Sequence, residues 1–180
     1  MKSFLELVKQ RQSDRAYLPQ PIEQKKLDRI LEAARLAPSA CNAQPWKMVV
    51  VTDEALRMQV ADATSNRALG MNHFTKQAPV QIVVLEEKAN FTSNFGSWAK
   101  NKHFPHVDLG ILSAHICLAA ADEGLGTCMV GWFDEDKVKK ALEIPKSKRV
   151  LLVITLGYPA KETREKRRKD LAEIVSVNKY

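Results

Sequence analysis

Apolar positions along the chain recur with two different periods. Phe4, Leu7 and Val8 share one helical face over residues 3–12, and Ser3 with Glu6 has the reciprocal capping spacing that satisfies the orphan amides of a helix start. Pro19 and Pro21 force an extended connection. A second helix is expected at 22–37, where Leu27, Ile30, Leu31 and Ala34 stand at i, i+3, i+4 and i+7 and Pro38 stops the run. The period then shortens. Lys47–Thr52, with three consecutive valines, reads as a strand, as do Val80–Leu85 and Arg149–Leu156, the last dense enough in branched apolar residues to be buried on both faces.

Between the strands, Asp53 is placed to cap a helix ending near residue 63, and 64–78 is polar and partly helical. Residues 87–106 carry Asn, Ser, Gly, Lys and aromatics without a period, which suits a surface excursion or lid. The longest helix is expected over 108–123 with Asp108 as its cap, apolar nearly all round and therefore central. Gly124-Leu125-Gly126 ends it, and Thr127–Gly131 starts a further strand. Asp134 caps a short helix closed by Pro145, and 157–180 is a polar arm. No internal repeat or break divides 1–156, so residues 1–180 read as one α+β domain with a central mixed sheet flanked by helices.

Composition narrows the class. At 180 residues, a single domain buries about 70% of its unfolded surface without staples. Hydrophobic residues at 45% and charged residues at 27% exclude disordered and collagen-like chains. No run of consecutive apolar residues approaches a membrane span, and charges interrupt the N-terminus where a signal peptide would be apolar, so a cytoplasmic protein is expected. Cys41, Cys117 and Cys128 are odd in number and lack CxxC spacing, which points to buried, inert thiols. The net charge is +7, and residues 161–169 hold six basic against two acidic residues, a local +4 with no interleaved aromatic. Nucleic-acid binding through that segment is the weaker reading of it.

GxGxxG, Walker, HExxH and GxSxG patterns are absent, which removes the best evidence for four common enzyme classes. His103, His106 and Asp108 have spacing that could hold a metal, but no fourth ligand follows, and none is expected. Arg11, Ser13 and Arg15 offer two guanidinium forks and a hydroxyl suited to a phosphate or an electron-rich ring edge; solvated arginines are the plain alternative. Ser39, Asn42 and Gln44 offer neutral donors and acceptors in a proline-framed loop, as a polar heterocycle requires, against the alternative of an ordinary turn.

Taken in order, Arg11-Gln12-Ser13-Asp14-Arg15, Ala37-Pro38-Ser39-Ala40-Cys41-Asn42-Ala43-Gln44-Pro45-Trp46, Ala78-Pro79, Asp108-Leu109-Gly110, Gly124-Leu125-Gly126-Thr127, Gly131-Trp132-Phe133 and Gly157-Tyr158-Pro159 before Arg168 resemble the FMN-dependent nitroreductase family over nearly the whole chain. The resemblance implies an intertwined homodimer with two FMN sites at the subunit interface and with the arm 157–180 crossing to the partner. It places Arg11, Ser13, Lys166 and Arg168 at the FMN phosphate and Gln12 and Arg15 toward the pyrimidine side. Pro38, Ser39, Asn42 and Gln44 would come from the other subunit, Met129, Val130, Gly131 and Trp132 would run beneath the ring, and Asn72 matches the family's asparagine near the pyrimidine. Trp132 would narrow access to one ring face.

The implied activity is NAD(P)H-dependent, ping-pong reduction of nitroaromatic or quinone-like small molecules, with no catalytic side chain required and no nucleic-acid or membrane partner. Rival readings are a dehalogenase or flavin-modifying enzyme of the same superfamily, and a flavin-binding protein without turnover.

Overall fold

The computed structural model describes residues 3–66, 69–88 and 103–180. Four strands form one sheet in the order β1-β2-β4-β3: β1 (Trp46–Val51), β2 (Val80–Glu86), β3 (Gly126–Val130) and β4 (Arg149–Gly157). Every strand pair in it is antiparallel, where a mixed sheet is expected from the sequence. The one parallel pairing among the described residues is an isolated bridge between Ser13 and Thr127 on the outer edge of β3. The polar sequence around Ser13 carries no strand period, so this pairing leaves no mark in the hydrophobic pattern.

Period-2 alternation on β2 explains how one sheet serves two cores. Val80, Ile82 and Val84 face one layer, with Leu27, Ile30 and Ala34 of α2 (Gln24–Arg35) and Leu109, Leu112, Ile116 and Ala120 of α4 (Phe104–Asp122). Val83 and Leu85 face the other, against Val60 and Ala63 of α3 (Glu54–Thr64) and Val138 of α5 (Glu135–Ala141). A bulge between Val84 and Leu85 pairs them with Leu152 and Val150, leaving Leu151 as the extra residue. That insertion flips the parity of β4 and turns Val150 toward the second core. Each large aliphatic side chain buried in this way contributes about 1.5–3 kcal/mol.

The expected caps on the two shorter helices are found. Asp53 accepts from the Leu56 amide and Asp134 from the Lys137 amide. The long helix differs. It begins at Phe104, four residues before Asp108, because Pro105 is well placed in a first turn whose amides have no helical acceptor. Asp108 is instead buried in the helix interior, and its Oδ1 accepts from the Ala40 amide at 3.0 Å. By length and average hydropathy α4 could cross a membrane, but half of its apolar window is buried against the rest of the fold. Of the excursion at 87–106, residues 89–102 lie outside the described residues, and 103–106 open α4.

Two further helices are short: α1 (Phe4–Gln10), with the Ser3–Glu6 capping box in place, and α6 (Leu171–Ile174) near the C-terminus. Neither buries a residue within the single chain. The cysteines divide: Cys117 and Cys128 are buried, but Cys41 is exposed because it sits in a short surface turn between two prolines rather than on a core face.

Candidate functional site

The chain leaving α1 runs beside the edge of β3. The Asp14 amide donates to the Thr127 carbonyl at 2.8 Å, and the Tyr17 hydroxyl, deep in the fold, bonds to Thr155 Oγ1 at 2.7 Å and to the Asp14 carbonyl at 2.9 Å. Burial pushes the Tyr17 phenol far above its ordinary range, against the opposing pull of the Thr155 hydrogen bond, so it stays neutral and serves as a pin. With Tyr17 fixed, residues 11–15 have little freedom.

The C-terminal arm returns to this segment. Leu18 donates to the Tyr158 carbonyl and Ala160 to the Ala16 carbonyl. Gln12 then acts as a clip: its amide nitrogen donates to Asp14 Oδ1 at 2.8 Å and to the Glu162 carbonyl at 3.2 Å, while its oxygen accepts from the Arg164 amide at 3.0 Å. Arg164 also reaches the Ser13 carbonyl, and Lys166 the Arg11 carbonyl. The first part of the arm is thus held by its own chain. Polarity alone predicts an arm with no seat on its own subunit, and what supplies the seat is the backbone of 11–18, whose carbonyls no sequence pattern advertises.

Arm and N-terminal segment enclose an open cavity of about 620 Å³ lined by Arg11, Gln12, Ser13 and Arg15 on one side and residues 164–168 on the other. Five arginines and a lysine line it against one glutamate, Glu165. Burial, and then repulsion from Arg11 and Arg168, holds the Lys166 ammonium below its ordinary pKa, with Asp14 only partly offsetting the crowding of cations. Behind the wall lies Asp14, 7% exposed. Burial pushes its carboxyl up, while Gln12, Arg164, the Thr127 region and Lys166 pull the other way. One half-compensated acid behind six cations leaves a net positive basin, and its chemistry suits a dianion such as a phosphate monoester.

The other expected site residues fall elsewhere in the chain. Pro38, Ser39, Asn42 and Gln44 form a separate surface turn around the 3₁₀ segment Ala40–Asn42. Cys41, Asn42 and Gln44 all have positive φ, a conformation costly for residues with side chains, and Ser39 Oγ accepting from the Gln44 amide at 2.9 Å holds the turn together. Buried Asp108 fixes its start through Ala40. Asn72, itself left-handed, donates to the Thr64 carbonyl at 3.2 Å and lines a second, polar cavity of about 240 Å³ with Trp132 and Phe133. Met129 and Trp132 are exposed on the edge strand and just after it, Val130 is buried between them, and Gly131 is open to solvent. Sequence reasoning missed Arg164 and Asp14. The first stands in the basic run, where spacing does not say which residues turn inward, and the second hides within a motif whose arginines draw the attention. Of the candidate metal set, Asp108 is spent on Ala40, and His103 and His106 meet Glu86 instead.

The profile of the Nitroreductase family matches residues 8–158. The chain belongs to this family. Among relatives of this nitroreductase-family chain, the FMN reductase [NAD(P)H] of Bacillus subtilis is 26% identical, covering 93% of the chain and 70% of the relative. A nitroreductase family protein from Clostridium novyi NT is 31% identical with a TM-score of 0.76, over 92% of this chain and 89% of that one. An FMN-dependent nitroreductase from Clostridium difficile R20291 is 27% identical with a TM-score of 0.79, over 98% and 100%. The family match stops at residue 158, so four of the six cavity cations, Arg164 and Lys166 to Arg168, lie beyond it.

Proposed function

We propose that this chain is an FMN-dependent oxidoreductase that uses NAD(P)H to reduce nitroaromatic or quinone-like small molecules. The observation that carries the reading is the convergence of Arg11, Ser13 and Arg15 with Lys166 and Arg168 on one cavity short of negative charge. Those residues fit the phosphate of a flavin nucleotide. Arg11, Ser13, Lys166 and Arg168 would hold it, with each charge-assisted bond worth about 1.5–3 kcal/mol. When bound, FMN would supply the redox chemistry, hydride exchange with a nicotinamide and with the acceptor.

The chain's own residues bind and orient. Arg15 is exposed at the cavity rim and would place positive charge beside the pyrimidine edge, where negative charge grows on reduction. Gln12, whose carboxamide is committed to Asp14 and the arm, would keep that wall closed and reach the pyrimidine side only at the cost of those bonds. Met129, Val130, Gly131 and Trp132 would form the floor, and Asn72, next to Trp132, the far edge of the acceptor space.

The site is completed by a second copy of the chain. Phe4 at 67% and Leu5 at 70% exposure on α1, with Leu171 at 72%, Ile174 at 64% and Val177 at 80% near the C-terminus, expose apolar side chains that a single chain leaves uncovered. A homodimer in which residues 171–180 pack on the partner buries them and brings Pro38, Ser39, Asn42 and Gln44 of one copy toward the flavin of the other. A cytoplasmic location is in keeping with use of a soluble NAD(P)H pool. The experiment is the absorbance spectrum of the purified protein, then anaerobic titration with NADH and with NADPH. A flavin spectrum bleached by at least one nucleotide, and restored by a nitroaromatic or quinone, is expected. Colourless protein that does not take up FMN would refute the reading.

A further inference from the structure

At the far end of the sheet from the cationic cavity, β2 finishes at Glu86, paired with Arg149 at the start of β4. The cavity's anchor, Ser13, is bridged instead to Thr127, which pairs with Leu156 at the other end of β4. Against Glu86 lies the first turn of α4, with His103 as its cap residue and His106 three positions later. His103 Nε2 is 2.8 Å from Glu86 Oε1, and His106 Nε2 is 3.4 Å from Glu86 Oε2. The imidazoles meet edge to face with centroids 4.1 Å apart, and the three donor atoms lie within 4.8 Å of one another.

From these positions we infer a zinc-class divalent cation site formed by Glu86, His103 and His106. Bonds of about 2.0–2.1 Å in a tetrahedral arrangement put neighbouring ligand atoms about 3.3 Å apart. Each imidazole nitrogen already lies close to that spacing from one Glu86 oxygen, 2.8 Å to Oε1 and 3.4 Å to Oε2, so side-chain adjustment would bring one carboxylate oxygen and both nitrogens around a shared ion. Two imidazoles and one carboxylate are borderline donors that favour Zn²⁺, Ni²⁺ or Cu²⁺ over Mg²⁺ or Ca²⁺, and three protein ligands leave a fourth position for water.

Among the described residues, the two cations at the start of the adjoining strand are paired away from this carboxylate. Lys148 is paired with Glu87, and Arg149 lies 3.2 Å from Glu135, so neither cation of the adjoining strand is engaged with Glu86. Glu86 is also the best buried of the three, with 20% of its side chain exposed against 52% and 56% for the imidazoles. A partly shielded anion fixed at a strand end, flanked by two ligands on a helix turn, is a more ordered set of donors than loose surface histidines. Asp108, the acid nearest in sequence, takes no part, because it is buried in the core beside Ala40 and outside this group of donor atoms. A bound ion would tie the end of β2 to the start of α4 and stabilise the fold in proportion to its occupancy.

The test is equilibrium dialysis of tag-free, FMN-loaded protein against Zn²⁺ at up to about 100 µM, with bound metal measured by atomic emission. One Zn²⁺ per chain is expected, with affinity at least about tenfold weaker in each of Glu86→Gln, His103→Asn and His106→Asn. The variants His73→Asn and His115→Asn should bind as the parent does. Co²⁺ in place of Zn²⁺ should give the intense visible bands of tetrahedral coordination, read above the flavin absorbance. Flavin content and melting temperature in EDTA, equal to those of the parent, show that each variant is folded. Absence of bound zinc at 100 µM, or parental affinity in any one of the three variants, would overturn the site.

Discussion

Gly126 opens β3 where Asp14 comes closest to the sheet, and a single methyl group there probes the buried acid behind the cationic cavity. A Cβ at this position would lie 2.5 Å from Asp14 Oδ2, 2.8 Å from its Cγ and 3.0 Å from its Cβ, where ordinary contact begins at 3.4 Å. Asp14 cannot simply swing away. Its amide is bonded to Thr127, its carbonyl to the Tyr17 hydroxyl, and its Oδ1 to Gln12. Overpacking against a tethered group costs about 2–3 kcal/mol, and the stiffer unfolded chain returns about 0.4–1 kcal/mol. The net loss for Gly126→Ala is therefore about 1–2 kcal/mol, or a fall of about 2–8 °C in Tm for a chain of this length. Because Asp14 anchors Gln12 and Gln12 clips the arm, FMN affinity should fall roughly fivefold, about 1 kcal/mol.

The decisive assay is a double-mutant cycle, with thermal melts at fixed protein and FMN concentrations. Asp14→Ala removes two of the three short contacts and leaves only the 3.0 Å one. Adding Gly126→Ala in that background should then cost at least about 1 kcal/mol less than in the parent. Additivity within about 0.5 kcal/mol would show that Asp14 does not press on β3, and the account of the cavity's rear wall would fail.

Glu135 should shape the acid limb of stability. Burial raises its pKa, but hydrogen bonds from Lys139, the Val150 amide and Arg149 outweigh this and hold it below 4.5, so it contributes stability above that pH that is lost as pH falls through the lowered pKa. Glu135→Gln should flatten stability against pH in that window, and an unchanged slope in denaturant titrations at pH 3–5 would refute it. Deleting residues 161–180 should lower both flavin retention and dimerisation, read by absorbance and by sedimentation; a fully flavin-loaded, dimeric truncation would contradict the role given to the arm.

How far the fold could be read from sequence depended on what kind of signal each element leaves. Val80–Glu86 and Arg149–Gly157 are dense in branched apolar residues on both faces despite buried Gln81 and Thr155, and α2 keeps a clean i, i+3, i+4, i+7 stripe, so the hydrophobic pattern announces them. Asp53 and Asp134 declared their helices through caps, because a cap is a local contact. Asp108 follows the same rule in sequence and breaks it in the fold, since its partner, the Ala40 amide, lies 68 positions away. The parallel bridge at Ser13 and the bulge at Leu151 are likewise set by partners that no local window contains. At the candidate site, residue type and spacing grouped Arg11, Ser13 and Arg15, and only the resemblance to the nitroreductase family joined Lys166 and Arg168 to them; one cavity brings all five together. The acid behind them, and the clip that folds the arm inward, come from long-range hydrogen bonds and became visible only in three dimensions.

The central claim is that the cationic cavity anchors the phosphate of a flavin nucleotide. Its most direct measurement compares the affinity of flavin-free protein for FMN and for riboflavin, which lacks that phosphate, by quenching of flavin fluorescence in the parent, Arg11→Ala and Arg168→Ala. Two or more charge-assisted bonds at about 1.5–3 kcal/mol each predict that FMN binds at least about 100-fold more tightly than riboflavin in the parent. Each variant should shrink that ratio about tenfold or more while leaving riboflavin affinity unchanged. Equal affinity for the two flavins in the parent, or an undiminished preference for FMN in both variants, would contradict the account.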